Sequence, residues 1–124
     1  MNIENAVDFI HTIGDQCSAC LPVNNSLIPL LILNETMAHH LQDKDLPLKN
    51  LYTVIRSSEL GARNHLSRLE KNSWLAIEKS KIDTRVKLIK PTKKLLDTYQ
   101  QLSLSFIPTA QKLCANCPHY KSKS

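Results

Sequence analysis

The four cysteines of this 124-residue chain fall into two pairs of identical spacing, Cys17-Ser-Ala-Cys20 and Cys114-Ala-Asn-Cys117, with none left over. Two such pairs can close a tetrahedral site to which each contributes two thiolates. That chemistry suits structural zinc, with an iron–sulfur cluster as a second occupant. The same thiols could instead form disulfides and act as a redox switch, or remain plain reduced cysteines at helix ends. Residues 21–113 separate the pairs, so a metal on Cys17, Cys20, Cys114 and Cys117 would clamp the two ends of the fold, within one subunit or across a dimer. His11 and His119 are spare ligands in that scheme, whereas His39-His40 reads as a helix end. The chain has no Gly-rich phosphate loop, nucleophile elbow or His-Glu-x-x-His motif, which argues against an enzyme.

A second chemistry is written in the charge. The formal net charge is +5, but it is not spread evenly. Between Lys49 and Lys94 there are twelve Lys/Arg and four acids, a local excess of +8, so the remainder of the chain carries −3. A basic middle third between mildly acidic ends is the footprint of a surface that meets nucleic acid. Within it, Arg63 and Asn64 are the side chains best suited to reading guanine and adenine edges. Ser57, Ser58 and Arg68 are suited to phosphates.

Hydrophobic residues make up 42% of the chain, with 2 Gly and 6 Pro. That composition predicts one globular domain over 1–124 and excludes low-complexity and membrane-spanning classes. The acidic amino end carries no Lys/Arg-rich leader, which predicts a cytoplasmic, reducing address, nucleoid-associated when DNA is bound.

The elements follow from periodicity. Ile3, Val7 and Ile10 form one helical stripe, predicted to end at Gly14-Asp15. A second, most buried helix begins near Asn24-Asn25-Ser26, with Pro29 in its first turn and Leu27–Leu33 as its apolar run. Pro47 stands near the start of a short helix carrying Leu48, Leu51 and Ile55. Ser58 caps a third helix reaching about Asn72, with Ala62, His65 or Leu66, and Leu69 turned inward. The period then changes to two in Trp74–Lys79 and again in Val86–Lys90, two strands around a basic turn. Pro91-Thr92 restarts a helix bearing Leu95, Leu96, Tyr99 and Leu102. Pro108 is predicted to kink or end it, before a short last helix with Ala110 and Leu113. Two short helices followed by a hairpin make a winged helix-turn-helix, mainly α with a small β-hairpin wing. Residues 45–91 are its helix-turn-helix and wing, and 1–44 and 92–120 its dimerisation and support helices. The second short helix enters the major groove, presenting Glu59, Leu60, Arg63, Asn64 and Ser67, while Lys79, Lys81, Arg85 and Lys87 lie on the wing.

The stretch Leu51–Leu75 resembles the helix-turn-helix of the MarR family of bacterial transcription regulators, with Leu69-Glu70 at the family's Leu-Glu pair. Ile82-Asp83-Thr84-Arg85 resembles the family's Asp-x-Arg wing, and Thr92 its helix-opening Thr. The likeness covers about residues 27–105. Arg56 and Ser73 stand where glycine is usual, and His65 fills an apolar-looking slot. The resemblance implies that Arg85 enters the minor groove and that Asp83 braces it. It further implies a homodimer on double-stranded DNA that blocks or recruits polymerase at a near-palindromic site. The dimer would be built from the first and last helices, because paired recognition helices read half-sites about one DNA turn apart. The alternative is a winged-helix module that binds a partner protein. A small-molecule effector is compatible with the family, but no residues here mark a pocket for one.

Overall fold

The computed structural model describes residues 3–22, 26–55 and 58–115, and within them every side chain except those at 109 and 112–115. The chain divides into two compact units, Pro22–Thr98, and Met1–Leu21 together with Tyr99–Ser124. The described elements run α1 (Ile3–Cys20), α2 (Ile28–Leu41), α3 (Leu48–Val54), α4 (Glu59–Lys71), β1 (Leu75–Lys79), β2 (Lys87–Pro91) and α5 (Lys93–Ala115). None of the described helices is long and apolar enough to cross a membrane.

In the unit Pro22–Thr98, α2 is the central support, packed against α4 and β2. Ile32 and Leu33 are fully buried, as is Thr36, whose hydroxyl donates to Ile32 O at 2.8 Å and so leaves no unmet polar group. Ser26 Oγ accepts from Ile28 N at 3.2 Å, and Pro29 occupies the first turn where its missing N–H costs nothing. The expected cap on α4 is present: Ser58 Oγ accepts from Gly61 N at 3.1 Å. Ala62, Leu66 and Leu69 are its buried face, and His65 is only half-buried. The hairpin is antiparallel, with Leu75 opposite Pro91, Ile77 opposite Ile89 and Lys79 opposite Lys87. Beyond β2, Ile89 N donates to Leu46 O at 2.9 Å and Pro47 bridges Leu88. The segment leading into α3 thereby covers the free edge of the sheet.

The corner between α4 and the wing is a Schellman turn. Ser73 N donates to Glu70 O and Trp74 N to Leu69 O, at 3.0 and 2.9 Å, with Ser73 left-handed at φ 64°. Thr92 ties the start of α5 to this corner: its hydroxyl proton is shared between Ser73 O (2.6 Å) and Trp74 O (3.0 Å), and its Oγ1 accepts from Leu95 N at 3.3 Å. Lys94 Nζ donates to Asn72 O at 3.0 Å while lying 4.2 Å from the centre of the Trp74 ring.

Two expectations need correction, both in the other unit. The first helix does not end at Gly14 but continues to Cys20. Half-buried Ile13 before Gly14, and half-buried Gln16 and buried Cys17 and Leu21 after it, make an inward face, and Gln16 Nε2 donates to Ser105 O at 3.2 Å. A helical glycine costs about 1 kcal/mol relative to alanine, less than this burial returns. Nor does Pro108 end the last helix, and Ala110 and Leu113 belong to no separate short helix: among the described residues α5 runs unbroken to Ala115. The proline forfeits the bond it would have given Leu104 O and its ring crowds that carbonyl, which costs about 3 kcal/mol without forbidding the next turn. Cys17 and Cys20 therefore occupy the last turn of a helix, and Cys114 lies inside α5, rather than in loops after the helices.

Candidate nucleic-acid interface

The outward face of α4 is built by default from its inward one. With Ala62, Leu66 and Leu69 buried, the 3.6-residue period turns Leu60, Arg63, Asn64, Ser67 and Arg68 to the surface, where all five are exposed. Leu60, at 70% exposure, is an apolar side chain held in water at the start of this face. Ser58 is exposed at the cap, and Ser57 and Arg56 lie outside the described residues.

The wing tip is organised by its own short side chains. Ser80 Oγ accepts from Ile82 N and Asp83 N at 3.2 and 3.4 Å, and Val86 N donates to Asp83 O at 2.9 Å. Asp83 Oδ1 accepts from both the backbone N–H (3.1 Å) and Nε (3.2 Å) of Arg85, and Oδ2 from Arg85 Nη2 at 3.3 Å. This two-pronged grip pairs the Asp and Arg of the Asp-x-Arg stretch in a partly solvent-exposed ion pair. The Arg85 guanidinium holds the Asp83 carboxyl below its ordinary range, first through the side-chain bonds and then through the backbone N–H. Arg85 stays 90% exposed despite the grip, so its charge faces solvent. Lys79, Lys81 and Lys87 are exposed at the strand ends and turn.

Arg63 of α4 and Arg85 and Lys87 of the wing line one groove of about 540 Å³, closed on its third side by α3. Asn64, Ser67 and Arg68 continue along the exposed face of α4 outside it, and Lys79 and Lys81 remain on the hairpin. The groove also takes in Glu59, expected on the exposed first turn of α4, and Lys49 and Tyr52, to which sequence reasoning gave no role at this surface. Arg63 lies 5.7 Å from the centre of the Tyr52 ring, and its Nη2 donates to Glu59 Oε1 at 2.7 Å. The i, i+4 spacing of Glu59 and Arg63 is a signal that could have found the pair. Tyr52, expected only as a position of the short helix, is brought to the groove by the placement of α3.

Of the four cysteines, only Cys17 and Cys20 have described side chains. Cys17 is buried, its thiol pushed up by burial and then by the neighbouring Cys20, which is exposed. The Cys114 side chain, Cys117 and His119 lie outside the described residues. Among the described residues, no group of three His, Cys, Asp or Glu is placed to hold a metal ion. Nearby, burial and then Cys17 push the Tyr99 phenol up to about 12.

No protein-family model and no curated protein matches the sequence. Solved structures do match. A mutant of MepR from a multidrug-resistant S. aureus clinical isolate superposes with a TM-score of 0.73 at 17% identity, over 90% of this chain and 77% of that one. Another S. aureus MepR mutant, bound to an oligodeoxyribonucleotide, gives 0.71 at 16% identity, over 92% and 79%. A MarR-like transcription regulator of Bacillus cereus gives 0.56 at 14%, over 94% and 81%. With five helices and a two-stranded antiparallel wing among its described residues, the chain has the winged-helix fold of the MarR-like regulators.

Proposed function

We propose that this protein is a MarR-type transcription regulator that binds double-stranded DNA sequence-specifically as a homodimer. The observation that carries the reading is the shared groove: Arg63, on the recognition helix, and Arg85, on the wing, face the same concavity in the basic middle third. In this reading α4 enters the major groove, where Arg63 and Asn64 reach base edges, while Asp83 presents Arg85 to the minor groove. Ser57, Ser58, Arg68 and the wing lysines meet phosphates. A MepR mutant of this fold is bound to an oligodeoxyribonucleotide, which supports DNA as the ligand. That its neighbours include a transcription regulator favours binding over catalysis.

Dimerisation is supported by what α1 and α5 leave outside. Ile3, Val7 and Ile10 on α1 are 83%, 48% and 68% exposed, and Leu104 and Ile107 on α5 are 54% and 46%. Apolar stripes of this kind on two helices suit a second copy of the chain. The twofold would set two recognition helices about one DNA turn apart.

Selection of bound duplexes from a random pool, followed by mobility shifts across a salt series, tests the proposal. It predicts a near-palindromic motif, a steep salt dependence, and a loss of about 1–3 kcal/mol in specific affinity for Arg63→Ala. Arg85→Ala weakens binding too. An unselected pool and no shift at low salt would overturn the reading in favour of a protein partner.

A further inference from the structure

We infer that Glu59 is the specificity-positioning residue of the recognition helix, holding the Arg63 guanidinium in the attitude that selects guanine. The inference rests on the DNA-binding reading and adds a residue to it. Four cations line the groove, Lys49, Arg63, Arg85 and Lys87, and Glu59 is the only acid among the described residues that line it. A carboxylate at that place opposes the phosphates that the cations attract, so it lowers affinity for DNA of any sequence. Its bond to Arg63 adds little to stability, because the two side chains are 60% and 61% exposed. Its physical consequence is orientation. Glu59 Oε1 takes one Nη2 proton at 2.7 Å and the Tyr52 ring lies 5.7 Å from Arg63 Cζ, so the guanidinium is held on two sides before DNA arrives. The other donors of the fork stay available for a bidentate contact to guanine O6 and N7. An arginine fixed in this way loses less freedom on binding the right base and slides less easily onto a phosphate.

The signature is a pair of opposite changes. Glu59→Ala tightens binding to a random-sequence duplex about two- to threefold, because one repelling charge is gone. It also weakens the preference for guanine at the base pair read by Arg63 by about tenfold, within the range such a contact commands. Arg63→Ala abolishes the same preference, and the double variant shows no further loss at that base pair. Glu59→Gln, which keeps the side chain's size, tightens random-sequence binding as Glu59→Ala does. These affinities are read by mobility shift on the selected duplex, on the same duplex with that guanine replaced, and on a random-sequence duplex. The inference is overturned if Glu59→Ala keeps the guanine preference. It is equally overturned if affinity for all three duplexes falls together with the thermal midpoint, since Glu59 would then only support the first turn of α4. A wild-type protein that selects no motif removes the DNA-binding reading itself, a result distinct from either.

Discussion

The Asp83 carboxylate accepts three hydrogen bonds from one residue, the backbone N–H, Nε and Nη2 of Arg85. Because these bonds favour the charged form, its pKa in the folded chain lies below the ordinary 3.8. The sign follows directly: what the carboxylate contributes is fully present above the ordinary value and is lost only as pH falls through the lowered one. Arg85 is therefore oriented alike at every pH near neutrality. A side-chain carboxyl titration by NMR should place the Asp83 midpoint below 3.8, and Asp83→Ala should abolish the Arg85 Nε chemical-shift response to acid. Because the pair is exposed, Asp83→Ala should leave the thermal midpoint unmoved while weakening DNA binding. The resemblance at Asp-x-Arg implied this pairing. It did not suggest that Tyr52 flanks Arg63, since the two are brought together by the angle between α3 and α4.

At the scale of the element, the α4–wing corner is the most constrained junction. Ser73 sits at the residue after the helix cap, where the Schellman turn demands a left-handed backbone and glycine adopts it without a Cβ penalty. The sequence had already marked Ser73 as standing in a glycine slot, and its φ of 64° gives the physical reason. Ser73→Gly should stabilise the protein by about 0.5–1 kcal/mol, the relieved strain less the added entropy of the unfolded chain. A urea midpoint shifted upward with unchanged slope is the expected result; no shift would mean that the strain does no more than match that entropy. Caps and strands were legible here because they depend on neighbours in sequence: Ser58 on α4, Thr92 on α5 and the alternation in the hairpin. The ends of α1 and α5 were not. Gly14 and Pro108 are local breakers, and a helix passes through both.

For the whole molecule the open quantity is assembly. Ile10 is 68% exposed on α1, so a charge there is tolerated by the folded chain yet would disrupt an interface. Ile10→Glu should shift the sedimenting species from dimer to monomer and weaken binding to a palindromic duplex, with little effect on a single half-site. A wild-type chain that sediments as a monomer at all concentrations would dismiss the twofold arrangement.

The order of elements from α2 to the start of α5, the Ser58 cap, the inner face of α4, the hairpin and the concentration of charge were all determined by the sequence, because each arises from interactions within a few residues or from simple period. Only the tertiary structure decided that Arg63, Arg85, Lys87, Tyr52 and Glu59 surround one groove, and that Cys17 is buried while Cys20 is exposed. Those outcomes depend on how α3, α4 and the wing pack, and on which side of α1 is covered. Burial against distant segments outweighs a breaker's cost of a few kcal/mol, and no local pattern records it.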